Sequence, residues 1–135
     1  MKPASTPQVR LPKILLDKTV ASRLEAMTST LMRRSPELAE RLTEEIARAK
    51  LIAPEKLREN VVTIGSEVTY RDMATDRVRT VTLVFPEDAD MEQNRISVLT
   101  PAGLALLGFS EGAVIQWHMR AHEPRELEII KVSLA

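Results

Sequence analysis

His118 and His122 stand four residues apart with Glu123 beside the second, a spacing that on a helix would offer two ligands to a zinc ion. The residues around them read instead as a strand followed by a turn, which sets the two rings about 13 Å apart along the backbone, and no third ligand is evident. Two surface or half-buried histidines are the simpler reading. Glu87, Asp88, Asp90 and Glu92 superficially resemble the start of a calcium loop. They lack the glycine at the sixth position and the closing glutamate, so the stretch reads as a solvated loop between strands. Ser97, Ser110 and Ser133 have no histidine or lysine at a nucleophile-motif spacing, and the chain's 4 glycines form no phosphate cradle. No catalytic residue, cofactor or metal is therefore expected, and an enzyme has no positive residue to rest on. Arg33 and Arg34 form a small positive patch suited to a phosphate or an acidic partner, set against the commoner role of solvated turn residues.

Composition narrows the field further. The 135 residues suit one domain, or a small domain with an appendage. Lysine plus arginine number 19 and aspartate plus glutamate number 19, so no strong field draws the chain to nucleic acid or to a membrane surface. Sequence-specific nucleic-acid binding is not expected. There is no cysteine, which removes disulfides, thiolate metal sites and cysteine nucleophiles. Only Tyr70, Phe85, Phe109 and Trp117 are aromatic, too few for a pocket of stacked rings around bases or planar cofactors. The first eleven residues hold no signal-peptide core, and nowhere do some 18 apolar residues run together. A cytoplasmic protein with no membrane partner is the expectation.

The elements that must position these residues follow from periodicity. Residues 1–12 carry 3 prolines and no period, and read as a flexible leader. Asp17 can cap a helix whose apolar positions Val20, Leu24, Met27 and Leu31 share one narrow stripe. Ser35 and Pro36 then supply an N-cap and a first-turn proline for a second helix, with Ala39, Leu42, Ile46 and Ala49 as its stripe. Two stripes joined by a short link predict a short, coiled-coil-like antiparallel hairpin over residues 13–52, its arms reaching only about 22 Å. Arg33 and Arg34 lie at its tip. Residues 53–135 form the second unit, whose period turns from helical to alternating near Asn60. Strands are expected at 61–64, 67–72, 78–85, 95–99, 114–119 and 127–132, with a short helix at 102–107 opened by Pro101 and closed by Gly108. The fold class is α+β: a helical hairpin followed by a mainly antiparallel sheet domain with one short helix.

Several segments of the second unit are familiar in type and order. They are Val-Thr-Ile-Gly-Ser-Glu-Val at 62–68, Thr-Val-Thr-Leu-Val at 80–84, and Ile-Ser-Val-Leu-Thr-Pro-Ala-Gly-Leu-Ala-Leu-Leu-Gly at 96–108. Over about residues 60–133 the chain resembles the C-terminal domain of the GreA/GreB family of bacterial transcript-cleavage factors. With the short hairpin, the whole chain resembles the branch of that family whose members are named as regulators of nucleoside diphosphate kinase. The resemblance implies an FKBP-like sheet domain that docks at the secondary-channel entrance of RNA polymerase, with Ser97, Thr100, Pro101 and Gly103 on the docking side. Pro101 and Gly103 also have a purely structural reading, in helix initiation and close packing. Cleavage factors of the family use a long coiled coil with an acidic tip that carries magnesium. Here the hairpin is short and its turn reads Arg33, Arg34, Ser35, Pro36, which implies docking without stimulated cleavage. Ala113 and the segment 122–125 also depart from the family pattern. Two other readings stand beside this one. A link to nucleoside diphosphate kinase, direct or indirect, follows from the branch's name. Prolyl isomerisation follows from fold analogy alone, against the scarcity of aromatics for a prolyl pocket.

Overall fold

A computed structural model describes residues 14–117 and 125–134. The leader at 1–12, the pair His118 and His122 with Glu123, and the far end of the strand expected at 114–119 lie outside the described residues.

The chain opens on β1 (Leu15–Asp17), which runs directly into α1 (Lys18–Arg34). Asp17 caps α1 as expected: its Oδ1 accepts a hydrogen bond from the Thr19 N–H at 2.7 Å. Arg33 and Arg34 occupy the last turn, where positive charge complements the helix dipole. Ser35 separates α1 from α2 (Pro36–Arg48). It stands at the N-cap of α2 as expected, its carbonyl accepting from the Ala39 N–H at 3.0 Å, but its side chain makes no capping bond. Its backbone N–H closes α1 on the Leu31 carbonyl at 2.7 Å, and Pro36 pre-sets the first turn of α2. β2 (Lys50–Ile52) then returns beside β1 in parallel register, so the helical hairpin is the crossover between the two strands of a small ribbon. Nothing in the sequence reading anticipated this ribbon.

The second unit is a five-stranded sheet in the order β5-β4-β3-β7-β6. Its strands are β3 (Ser66–Asp72), β4 (Arg77–Val84), β5 (Arg95–Ser97), β6 (Val114–Trp117) and β7 (Arg125–Leu134). All neighbours are antiparallel except β4 and β5, whose connection carries two single-turn 3-10 segments, Pro86–Asp88 and Met91–Gln93. The strand expected at 61–64 does not form. Val61 makes one isolated bridge to Ser110, and Val62 exchanges backbone hydrogen bonds with Phe109 and Gly108 at 2.9 Å each. That extended segment straps the end of α3 (Pro101–Leu106), where both valines are buried and no strand is available to continue a ladder.

Hairpin and sheet share one hydrophobic core. Leu24, Leu31, Leu38 and Leu42 from the hairpin and Leu83, Val98, Leu104, Leu106 and Ile129 from the sheet unit belong to one continuous buried cluster. The stripe predicted as the hairpin's internal seam thus also seats the hairpin on the sheet unit. At its base, the Leu15 N–H donates to the Gly108 carbonyl at 2.9 Å. Gly108 is at φ +85°, and an added Cβ would come within 2.9 Å of Ile14 Cβ, so this junction admits glycine alone.

Candidate docking groove

The loop between β5 and α3 is held by its own short-range chemistry. Ser97 Oγ accepts from the Leu99 N–H at 3.0 Å, and the Thr100 hydroxyl donates to the Ser97 carbonyl at 2.7 Å. Thr100 Oγ1 also accepts from the Gly103 N–H at 3.1 Å, which makes Thr100 the N-cap of α3, and Pro101 follows at the first helical position. Gly103 is buried beneath this turn. A Cβ there would stand 2.2 Å from the Ser97 carbonyl oxygen, so only glycine lets the helix lie this close to the loop. Ser97, Thr100 and Pro101 are therefore presented at the surface, and Gly103 acts from below.

These three residues line a groove of about 670 Å³ whose opposite wall is the helical hairpin. Met27, Leu31 and Leu38 give that wall an apolar surface, and Arg34 and Ser35 close its end at the hairpin turn. The loop singled out in the sequence and one of the two tip arginines thus meet in one concavity. Arg33 is exposed but is not among the groove's lining residues. The acidic stretch contributes too, through Glu87 on the groove's rim beside Pro86. Glu87 forms an ion pair with Arg23 of α1, whose guanidinium lies 3.8 Å from the centroid of the Phe85 ring. Hydrogen bonding from its own backbone N–H, with Arg23 adding to it, holds the Glu87 carboxyl below the usual carboxylate range. Asp90 turns inward to its own chain: Oδ1 accepts from the Glu92 N–H at 3.0 Å and caps the second 3-10 turn. Among the described residues, no three His, Asp or Glu side chains converge on a possible metal position.

A second set of charged contacts steadies the hairpin from its other arm. Glu45 of α2 is buried, with Arg41 Nε 3.0 Å from Oε2 and Arg48 Nη2 3.2 Å from Oε1, the latter an ion pair without hydrogen-bond geometry. Arg48 also lies over the Phe109 ring, 5.6 Å from its centroid. Sequence reasoning missed Arg23, Phe85 and Glu87 as a group because they come from segments about sixty residues apart. The only local signal was an acidic residue directly after Phe85 and Pro86.

The sheet unit carries a short hairpin folded onto it, with a loop-and-helix turn beside the hairpin tip. Comparison with known proteins gives the lineage. The model for the C-terminal region of the transcription elongation factors GreA/GreB matches residues 57–134, more than half of the chain, and the model of the Rnk N-terminus matches residues 12–52. The chain belongs to the GreA/GreB family and carries the Rnk type of N-terminal segment. The regulator of nucleoside diphosphate kinase of Escherichia coli K12 is 30% identical over 121 residues, 90% of this chain and 89% of that protein. Transcription elongation factor GreA of Thermodesulfovibrio yellowstonii is 37% identical over 71 residues, 53% of this chain and 45% of that protein. Among solved structures, a transcription elongation factor GreA/GreB from Nitrosomonas europaea superposes with a TM-score of 0.71 at 35% identity, covering 90% of this chain and 98% of that one.

Proposed function

We propose that this chain is a non-catalytic regulator that binds RNA polymerase near the secondary-channel entrance and competes there with Gre-type factors without stimulating transcript cleavage. Membership of the GreA/GreB family supports a Gre-like regulatory factor. The observation that carries the finer reading is the groove, in which Ser97, Thr100 and Pro101 stand beside Arg34 of the hairpin tip. The division into a leader at 1–12, a hairpin at 13–52 and a docking unit at 53–135 goes with this reading, as does a cytoplasmic setting. Two features argue against cleavage. α1 has 17 residues and so spans only about 25 Å, and it is packed along the sheet unit. The turn offers Arg33 and Arg34, which repel a magnesium ion where a cleavage factor needs carboxylates to hold it.

The test uses Pro101→Glu. An acidic residue is well tolerated in the first turn of a helix, so the fold is kept while a charge enters the groove. Binding to RNA polymerase is expected to weaken at least about tenfold at unchanged thermal stability. Wild-type affinity in this variant, or stimulated cleavage of backtracked transcripts by the native chain, would contradict the proposal. The name of the Escherichia coli relative favours a second reading, in which the chain governs the level or activity of nucleoside diphosphate kinase through another protein partner. Direct association with that kinase in the absence of polymerase would distinguish it.

A further inference from the structure

The inner face of the sheet extends beyond the helix that covers it. On β4 the inward positions Val81 and Leu83 are buried, and the same face continues two and four residues earlier as Arg79 and Arg77, both exposed. These two arginines flank a hollow of about 260 Å³ whose apolar side is formed by Tyr70, Ala102 and Leu127. Neither guanidinium makes an ion pair with any described residue. The neighbouring carboxylates are engaged elsewhere: Glu128 and Asp76 both pair with Arg71, which points from the opposite face of β3. Asp72, also on the hollow, accepts from the Ala74 N–H at 2.9 Å and holds the β3-β4 turn.

Two like charges about 7 Å apart along one strand, beside a partly apolar wall, favour a ligand that brings negative charge to both. Guanidinium forks match phosphate oxygens in geometry and form strong charge-assisted hydrogen bonds to them. The hollow is smaller than the roughly 300 Å³ at which pockets for drug-sized ligands begin, so it suits a small ligand better than a dinucleotide. We propose that this hollow binds a small phosphorylated metabolite, with Arg77 and Arg79 holding the phosphate and Tyr70, Ala102 and Leu127 carrying its organic body. The proposal does not rest on polymerase docking, because the hollow and the groove share no lining residue.

Titration of the full chain with ribose 5-phosphate, followed by amide NMR shifts, tests it against inorganic phosphate and ribose as controls. Saturable shifts centred on Tyr70, Ala102 and Leu127 are expected, with affinity for the ester at least about tenfold above that for either control. The double variant Arg77→Ala with Arg79→Ala alters two exposed side chains and should keep the fold while losing at least about tenfold in affinity, whereas Arg95→Ala, on another strand, should bind as the native chain does. Absence of saturable shifts, shifts that survive the double variant, or equal affinity for inorganic phosphate would overturn the proposal.

Discussion

At the scale of single residues, the groove depends on what is missing from position 103 as much as on what stands at 97, 100 and 101. A methyl group on Gly103 would meet the Ser97 carbonyl oxygen at 2.2 Å and Val98 Cα at 3.0 Å, both backbone atoms that cannot swing aside. Gly103→Ala should therefore cost about 1–3 kcal/mol in chemical denaturation, as overpacked sites do, and should shift the amide resonances of residues 97–100. A neutral effect on both would mean that the loop and helix separate easily. Glu87 provides a charge test. Its folded-state pKa lies below the unfolded value, so its contribution to stability is complete above the ordinary carboxylate pKa and is lost as pH falls through the depressed folded value. Its own backbone N–H is the larger cause and Arg23 the smaller, so Arg23→Ala should raise the Glu87 titration midpoint seen by NMR only part of the way back. An unmoved midpoint would show that the ion pair to α1 does not form in solution.

At the scale of elements, the governing fact is that the hairpin is seated and not free. Leu24 and Leu42 are fully buried in the core that also holds Leu83, Leu104 and Leu106. Leu42→Ala should cost about 2–5 kcal/mol, and unfolding followed by helix and by tertiary signals should stay a single coincident transition. A separate, earlier loss of helix would contradict a shared core. The two helices, the Asp17 cap, the first-turn prolines and five of the seven strands were legible in the sequence, because each rests on a local period or a local cap. What escaped has a common cause. The β1-β2 ribbon pairs three-residue strands across the whole hairpin, too short to show alternation, and Val61 and Val62 look like a strand but find only the end of α3 to pair with. Ser35 looked like a side-chain cap because its residue type suits one. In the tight turn its backbone serves both helices, the N–H closing α1 and the carbonyl accepting from the Ala39 N–H of α2, while the side chain makes no capping bond. The loop at 97–101 was legible as a motif, but its companion wall of Met27, Leu31 and Leu38 was not, since seam residues of a hairpin carry no mark of a second partner.

At the scale of the whole molecule, the same arrangement that shares a core also limits reach. On the proposed reading, a hairpin packed along the sheet unit, with arginines at its turn, shapes a docking surface and does not deliver a metal ion to a distant active site. Binding would then come chiefly from the sheet unit's loop at 97–101, with Arg34 tuning the charge beside it. The most direct measurement is co-migration of the purified chain with core RNA polymerase on a sizing column, with and without a Gre-type cleavage factor. A complex at micromolar concentrations that the cleavage factor displaces is expected. No complex, or one that a saturating cleavage factor leaves intact, would contradict it.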